Sequence, residues 1–170
     1  MDAAVTDPAP PPLPADDWQP LPLRAARLAA VEGAIGGLLM PGAPLAAMHA
    51  LLGWPQPLLL VPSWLLFGAV AAAALAYRRL RRTRWRLDAQ GLGLRRDLMW
   101  HVETHVPISR VQHLDLKRGP LERRARLATL VVHTAGTRMS AVVVGGLDAA
   151  DAERLRDTLA HQVDQDADAL

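Results

Sequence analysis

The segment His101-Val-Glu-Thr-His105 sets two imidazoles and a carboxylate at alternate positions. These are divalent-metal donors, and their order invites a zinc-hydrolase reading. That reading needs a helix, with the histidines one turn apart and Glu directly after the first. Here Glu103 falls two positions after His101, in a segment whose alternation reads as a strand. On a strand the three side chains share one face, as the residues of any solvated strand face do. Without a fourth donor the solvated face is the reading taken, and no metal is expected. Ser109 and Ser140 belong to no Gly-x-Ser-x-Gly elbow and to no ordered nucleophile–base–acid set. Gly145-Gly146 is too short to cradle a phosphate. The absence of Cys removes disulfides, thiolate catalysis and Cys-ligated zinc together. No catalytic residue and no cofactor site emerge, so the chain reads as non-enzymatic.

Glu32 is the other residue with chemical potential, because it interrupts an apolar segment and an intramembrane carboxylate is a functional candidate by default. Close to an interface it can snorkel, and Arg24 or Arg27 can neutralise it. A functional Glu32 would serve ion passage or pairing with a partner helix.

The elements around these residues follow from the apolar and charged runs. Leu58 to Tyr77 carries no charge, and about 20 helical residues cross a bilayer core. Six arginines then fall within nine positions: Arg78, Arg79, Arg81, Arg82, Arg84 and Arg86. Each would cost several kcal/mol at the membrane centre, on the order of 3 kcal/mol on insertion scales, so the chain stops there. These arginines are candidates for contact with anionic lipid headgroups. Leu28 to Leu52 is apolar apart from Glu32 and His49 and is broken by Pro41 and Pro44. The preferred reading is one kinked helix over 28–52; the alternative ends the span at Met40 and makes 41–57 an outer loop with a short interfacial helix. With Arg24 and Arg27 before the first span and the arginine cluster after the second, the positive-inside bias places both termini in the cytoplasm. Small residues recur every four positions (Ala29, Gly33, Gly37 and Gly68, Ala72, Ala76), a spacing that lets two helices of a hairpin approach closely. Trp54 reads as an interfacial anchor at the outer end.

Residues 1–22 hold seven prolines and four aspartates and read as a disordered tail. The basic residues adjoin a membrane span rather than a recognition motif, so nucleic acid is not expected as a partner. One Lys stands against 18 Arg, a composition that hints at a GC-rich bacterial genome.

From Trp85 the apolar period becomes two: Trp85, Leu87 and Ala89; Leu92 and Leu94; Trp100, Val102, Thr104 and Val106; Leu114 and Leu116 with Gln112; then residues 130–134 and 139–144 around a turn at Ala135-Gly136-Thr137. Gln112, on the apolar side, is expected to be a buried amide tying its strand to a loop. Asp148 can cap a helix with the stripe Ala152, Leu155, Leu159 and Val163. Strands in series followed by one helix imply an antiparallel α+β domain. Arg95, Arg96, Arg110, Lys117, Arg118, Arg123, Arg124 and Arg126 form either a basic rim facing the bilayer or scattered surface charge.

The run from Pro107 to Arg124, with Arg110, Val111 and Gln112, then Gly119-Pro120-Leu121, then Thr134-Ala135-Gly136, resembles the YdbS-like bacterial membrane proteins, which carry a bacterial pleckstrin-homology-like domain after a pair of transmembrane helices. The resemblance covers roughly residues 24–163 and is most specific at 85–160. It implies an α+β protein: a transmembrane hairpin, then a PH-like antiparallel barrel or sandwich of about seven strands closed at one end by the C-terminal helix. The divisions are a tail at 1–22, a hairpin at 23–80 with helices near 28–52 and 58–77, a PH-like domain at 81–163 and a frayed acidic tail at 164–170. Pro107, Arg110, Gln112, Gly119, Pro120, Thr134 and Gly136 are motif residues with structural roles. One departure is Ala125-Arg126, where the family commonly has a bulky residue and Gly. The resemblance implies no enzymatic activity. Phosphoinositide binding is not expected, because the first hairpin loop, Gln90-Gly91, lacks paired basic residues.

The reading that combines these observations is a membrane-anchored scaffold at the inner face of a bacterial membrane. Its partners would be the bilayer, anionic headgroups, further copies of itself or a related multi-domain PH-like protein. The competing readings are a subunit of a channel, transport or envelope-stress complex using Glu32 and the broken first helix, and a metal enzyme using His101, Glu103 and His105.

Overall fold

The computed structural model describes residues 17–39, 43–53, 57–88, 90–135 and 141–168. Met40, Pro41, Trp54, Gly136, Ser140 and the prolines up to Pro14 fall outside them.

In chain order the elements are β1 (Gln19–Pro20), α1 (Leu23–Gly37), α2 (Ala43–Leu51), α3 (Pro57–Arg81), β2 (Thr83–Asp88), β3 (Gly91–Asp97), β4 (His101–Pro107), a 3-10 turn (Ile108–Arg110), β5 (Val111–Lys117), α4 (Pro120–Arg124), β6 (Leu127–Thr134), β7 (Ala141–Asp148) and α5 (Ala149–Asp168).

Of the described helices, α3 is long and apolar enough over Val61–Arg81 to cross a membrane, and that stretch is scarcely buried by the rest of the chain. Pro57 opens it at the first helical position, where a missing N–H costs nothing. Its last turn carries Arg78, Arg79 and Arg81, cations suited to the negative end of the helix dipole. The Thr83 hydroxyl then donates to the Arg79 carbonyl at 2.9 Å, satisfying one of the orphan carbonyls as the chain turns into β2.

Among the described residues, the segment read as one kinked helix over 28–52 carries α1, which ends at Gly37, and α2, which starts at Ala43. With 15 residues α1 spans about 22 Å, short of the hydrocarbon thickness. Pro44 lies in the first turn of α2, so it marks a helix start rather than a mid-helix kink. The small-residue spacing does what the pattern implied. A Cβ on Gly33 would lie 2.9 Å from the Ala72 carbonyl oxygen and from the Ala76 Cβ, and one on Gly37 would collide with the Gly68 carbonyl. As α1 advances, its contacts retreat along α3, so the two helices run antiparallel and touch backbone to backbone.

The strands form two antiparallel sheets, β1-β2-β3-β4 and β5-β6-β7. The two sheets stay separate and open, so the barrel-or-sandwich expectation resolves to two sheets and not to a closed barrel. The 3-10 turn breaks the ladder after β4, and β5 pairs with β6 instead. The side left open is covered by α5, whose Ala152, Leu155 and Leu159 are fully buried. Trp85, Leu87, Leu92, Leu94 and Val106 meet Leu130, Val132, Val142, Val144 and Leu147 to form the rest of the core. Asp148 caps α5 as its sequence position implied, accepting from the Ala150 N–H at 3.1 Å. The helix runs on to Asp168, into the acidic stretch expected to fray.

Three further expectations are corrected. The end of the supposed disordered tail belongs to the domain: Gln19 and Pro20 pair with Trp85 and Arg84, and Leu21 is buried. Trp18 explains the docking, since the Arg86 guanidinium lies 4.8 Å from its ring centroid. Gln112 is exposed, because a bulge between Val111 and His113 breaks the alternation that had put it with Leu114. On β4 only Val106 of the presumed apolar face is buried, while Trp100 is 81% exposed.

Candidate functional site at the helix–sheet junction

The helix pair is seated directly on the strand domain. Gly146, with φ +76°, lies where a Cβ would come within 3.0 Å of the Ala25 Cβ and 3.2 Å of Leu80, one residue from each helix. Arg24 forms an ion pair with Asp148 and donates to the Arg126 carbonyl at 3.4 Å. The start of α1, the end of α3 and the start of α5 therefore converge at one end of the second sheet.

Two hollows open at this junction. The first, about 690 Å³, lies among α1, α3, β3 and β7, and brings Glu32, Arg79 and Arg96 together with apolar walls that include Leu75, Leu80 and Val143. The cations that share Glu32's cavity are thus Arg79 and Arg96; the expected neutralisers point elsewhere in the case of Arg24, which is drawn to Asp148. Arg96 donates to the Val143 carbonyl at 3.0 Å. Burial, reinforced by the Arg79 charge, pulls the Arg96 guanidinium below its ordinary pKa. Two cations and one carboxylate facing a partly apolar hollow suit a polar headgroup with a hydrocarbon tail better than a fully solvated ion.

The second hollow, about 590 Å³, is lined by Arg24, Arg118, Arg123, Arg126 and the start of α5. Part of the proposed basic rim therefore gathers on one face, while Arg95 and Arg96 stand on β3 and Arg110 in the 3-10 turn. Arg118 pairs with Glu153 and Arg95 with Asp97, which removes them from a purely basic surface.

The arginine cluster divides in the same way. Arg78, Arg81 and Arg84 are exposed; Arg82 donates to the Leu98 carbonyl at 3.3 Å, and Arg86 lies against Trp18 and 3.5 Å from Asp88. The family-motif residues hold turns. Pro107 precedes the 3-10 turn and Arg110 ends it, where the Ala135 N–H donates to the Arg110 carbonyl at 2.9 Å. Thr134 pairs across from Val111. Gly119 and Pro120 open α4, a helix the strand pattern had hidden, and Glu122 reaches back to accept the Gly119 N–H at 2.8 Å. Gly-Pro-x-Glu was its signal. Arg126, at the turn between α4 and β6, adopts φ +53°, the left-handed conformation that Gly reaches most readily.

His101, Glu103 and His105 do share the solvent face of β4, but His101 pairs with Asp97 and lies 4.0 Å from Glu103. Desolvation raises the Asp97 carboxyl, yet the hydrogen bond from His101 and the charge of Arg95 outweigh it and hold the group below its ordinary pKa.

An apolar helix pair docked on a helix-capped, two-sheet antiparallel domain defines a small mixed α and β module. Residues 26–163 match the family model for the bacterial PH domain, helix pair included, and the chain belongs to that family. It is 30% identical over 96 residues to the UPF0699 transmembrane protein YdbS of Bacillus subtilis (strain 168), a match covering 56% of this chain and 58% of that protein. The matched region is therefore less than two thirds of that relative's length. No solved structure gave a significant match.

Proposed function

We propose that this chain is a non-enzymatic, membrane-anchored PH-like module that recruits protein partners at the cytoplasmic face of a bacterial inner membrane, both termini cytoplasmic. The observation that carries the reading is the junction itself. α3 passes from an outward-facing apolar surface through Arg78, Arg79 and Arg81 into β2 with one intervening residue, Arg82. A domain joined so tightly cannot swing freely, and the hollows rimmed by Arg79 and Arg96 and by Arg24, Arg123 and Arg126 would sit at headgroup depth. Rigid presentation of a β surface at a fixed height suits a scaffold. The relative's name, a transmembrane protein, agrees with this. Its partners in this reading are anionic lipid, further copies of the chain or a related multi-domain PH-like protein.

Crosslinking in native membranes, followed by identification of the products, tests the proposal. Recovery of specific adducts to the strand domain supports recruitment; recovery of none, with no self-adduct, removes it. External protease that cleaves α5 in intact cells would overturn the orientation.

A second reading is favoured by the placement of Glu32 on the larger hollow beside two cations: a subunit of a channel or transport complex. Two helices enclose no pathway alone, so it requires oligomers. Glu32→Ala with unaltered phenotype would set it aside.

A further inference from the structure

The face of the second sheet turned away from the core carries His113, Asp115 and His133. His113 and His133 are cross-strand partners on β5 and β6. Their rings stack with centroids 3.9 Å apart and planes 13° from parallel. Asp115 follows His113 by two positions and so shares its face, and its Oδ2 lies 3.1 Å from His133 Nε2. One donor atom from each of the three lies within 4.8 Å of the other two. We propose that these residues form a binding site for one divalent transition-metal ion, with Zn²⁺ the ion that suits the donor set best.

Bonds of about 2.0–2.1 Å in a tetrahedron put ligand atoms about 3.3 Å apart. The Asp115–His133 edge already has nearly that length. The remaining edges close by side-chain rotation of roughly 1.5 Å or less, with the strand pair holding the Cα positions. Two imidazoles and one carboxylate select a borderline ion; the all-oxygen shells of Ca²⁺ and Mg²⁺ are absent here. The bulge between Val111 and His113 turns His113 outward at this rung, a device strands use to re-aim a side chain. A divalent ion takes one lone pair from each ring and one carboxylate oxygen at once; the Nε2 proton that Asp115 accepts without an ion passes through water to Nδ1 of the same ring. His113 is exposed and Asp115 and His133 are half-buried, so three protein ligands leave an outward position for water or a donor from another chain. The site lies on the other sheet from His101, Glu103 and His105, and depends on neither the membrane orientation nor the recruitment proposed above.

The test uses the full chain in detergent, stripped with a chelator and titrated with Zn²⁺ by calorimetry, with Co²⁺ absorption as a second readout. The expected result is one ion per chain, with His113→Ala and His133→Ala each weakening uptake at least about tenfold. Asp115→Asn also weakens it, and His101→Ala and His161→Ala leave it unchanged. Circular dichroism establishes that the variants are folded; should a histidine variant fail to fold, the near-isosteric Asp115→Asn carries the test. The site is overturned if the stripped protein takes up no Zn²⁺ at roughly 0.1 mM, or if folded His113→Ala or Asp115→Asn binds as tightly as the parent.

Discussion

Along α1 and α3 the residues turned inward are small and the large ones face out: Ala25, Ala26 and Gly37 are buried, whereas Val31, Ile35, Phe67 and Val70 are more than half exposed. In the strand domain the order is reversed, with Leu92, Leu130, Leu147 and Leu155 fully buried. Close backbone approach through glycine and alanine is how helices associate when no hydrophobic force drives them together. Leucines withdrawn to zero exposure are what water demands. The two regions follow opposite packing rules, and the arginines from Arg78 to Arg86 lie between them along the chain.

That contrast can be broken from either side. The largest effect is expected for Leu155→Asp, which buries an unpaired carboxylate between α5 and the sheets and should cost roughly 4–5 kcal/mol or more. Near-ultraviolet circular dichroism would report loss of domain packing while the chain stays in the membrane fraction; release from the membrane would count against independent solvation of the two regions. Next, Phe67→Asp puts a charge on an outward apolar face of α3 at an insertion cost of about 3 kcal/mol. Carbonate extraction should recover less of it in membranes, and an unchanged fraction would mean that this face does not meet lipid. Gly37→Leu forces the helices apart where a side chain meets the Gly68 carbonyl, a cost of about 1–3 kcal/mol by overpacking. Hydrogen exchange along α1 should accelerate with domain protection unaltered; equal protection in parent and variant would contradict the tight pairing.

The smallest effect concerns pH. The Asp97 carboxyl is held below its unfolded pKa by His101 and Arg95, so its contribution is present above about pH 4 and is lost as pH falls through the folded value. Denaturant melts of Asp97→Asn should lose that part of the acid slope and match the parent's shape elsewhere. A parent slope identical to the variant's below pH 4 would mean the pairing contributes nothing, as exposed pairs often do.

How much of this was legible beforehand differs by element. The long apolar helix α3, the Asp148 cap and the α5 stripe each rest on residues within one or two turns, so a local pattern reports them. The two-residue strand at Gln19–Pro20 was hidden because its pairing with Trp85 and Arg84 crosses more than sixty positions. Gln112 was misplaced because a bulge is a backbone event with no composition of its own. The helix α4 was overlooked although Gly119-Pro120 and Glu122 announce its start, because flanking strands dominated the pattern.

By itself the order of residues determined where the long apolar run of α3 lies, where charge ends it and which stripe of α5 is apolar, since those follow from neighbouring side chains. Only the tertiary structure decided that the sheets remain separate, that Glu32 shares a cavity with Arg79 and Arg96, and that His113, Asp115 and His133 meet. Each of those outcomes joins groups distant along the chain, and strand register and helix docking bring them together where local preference has no say.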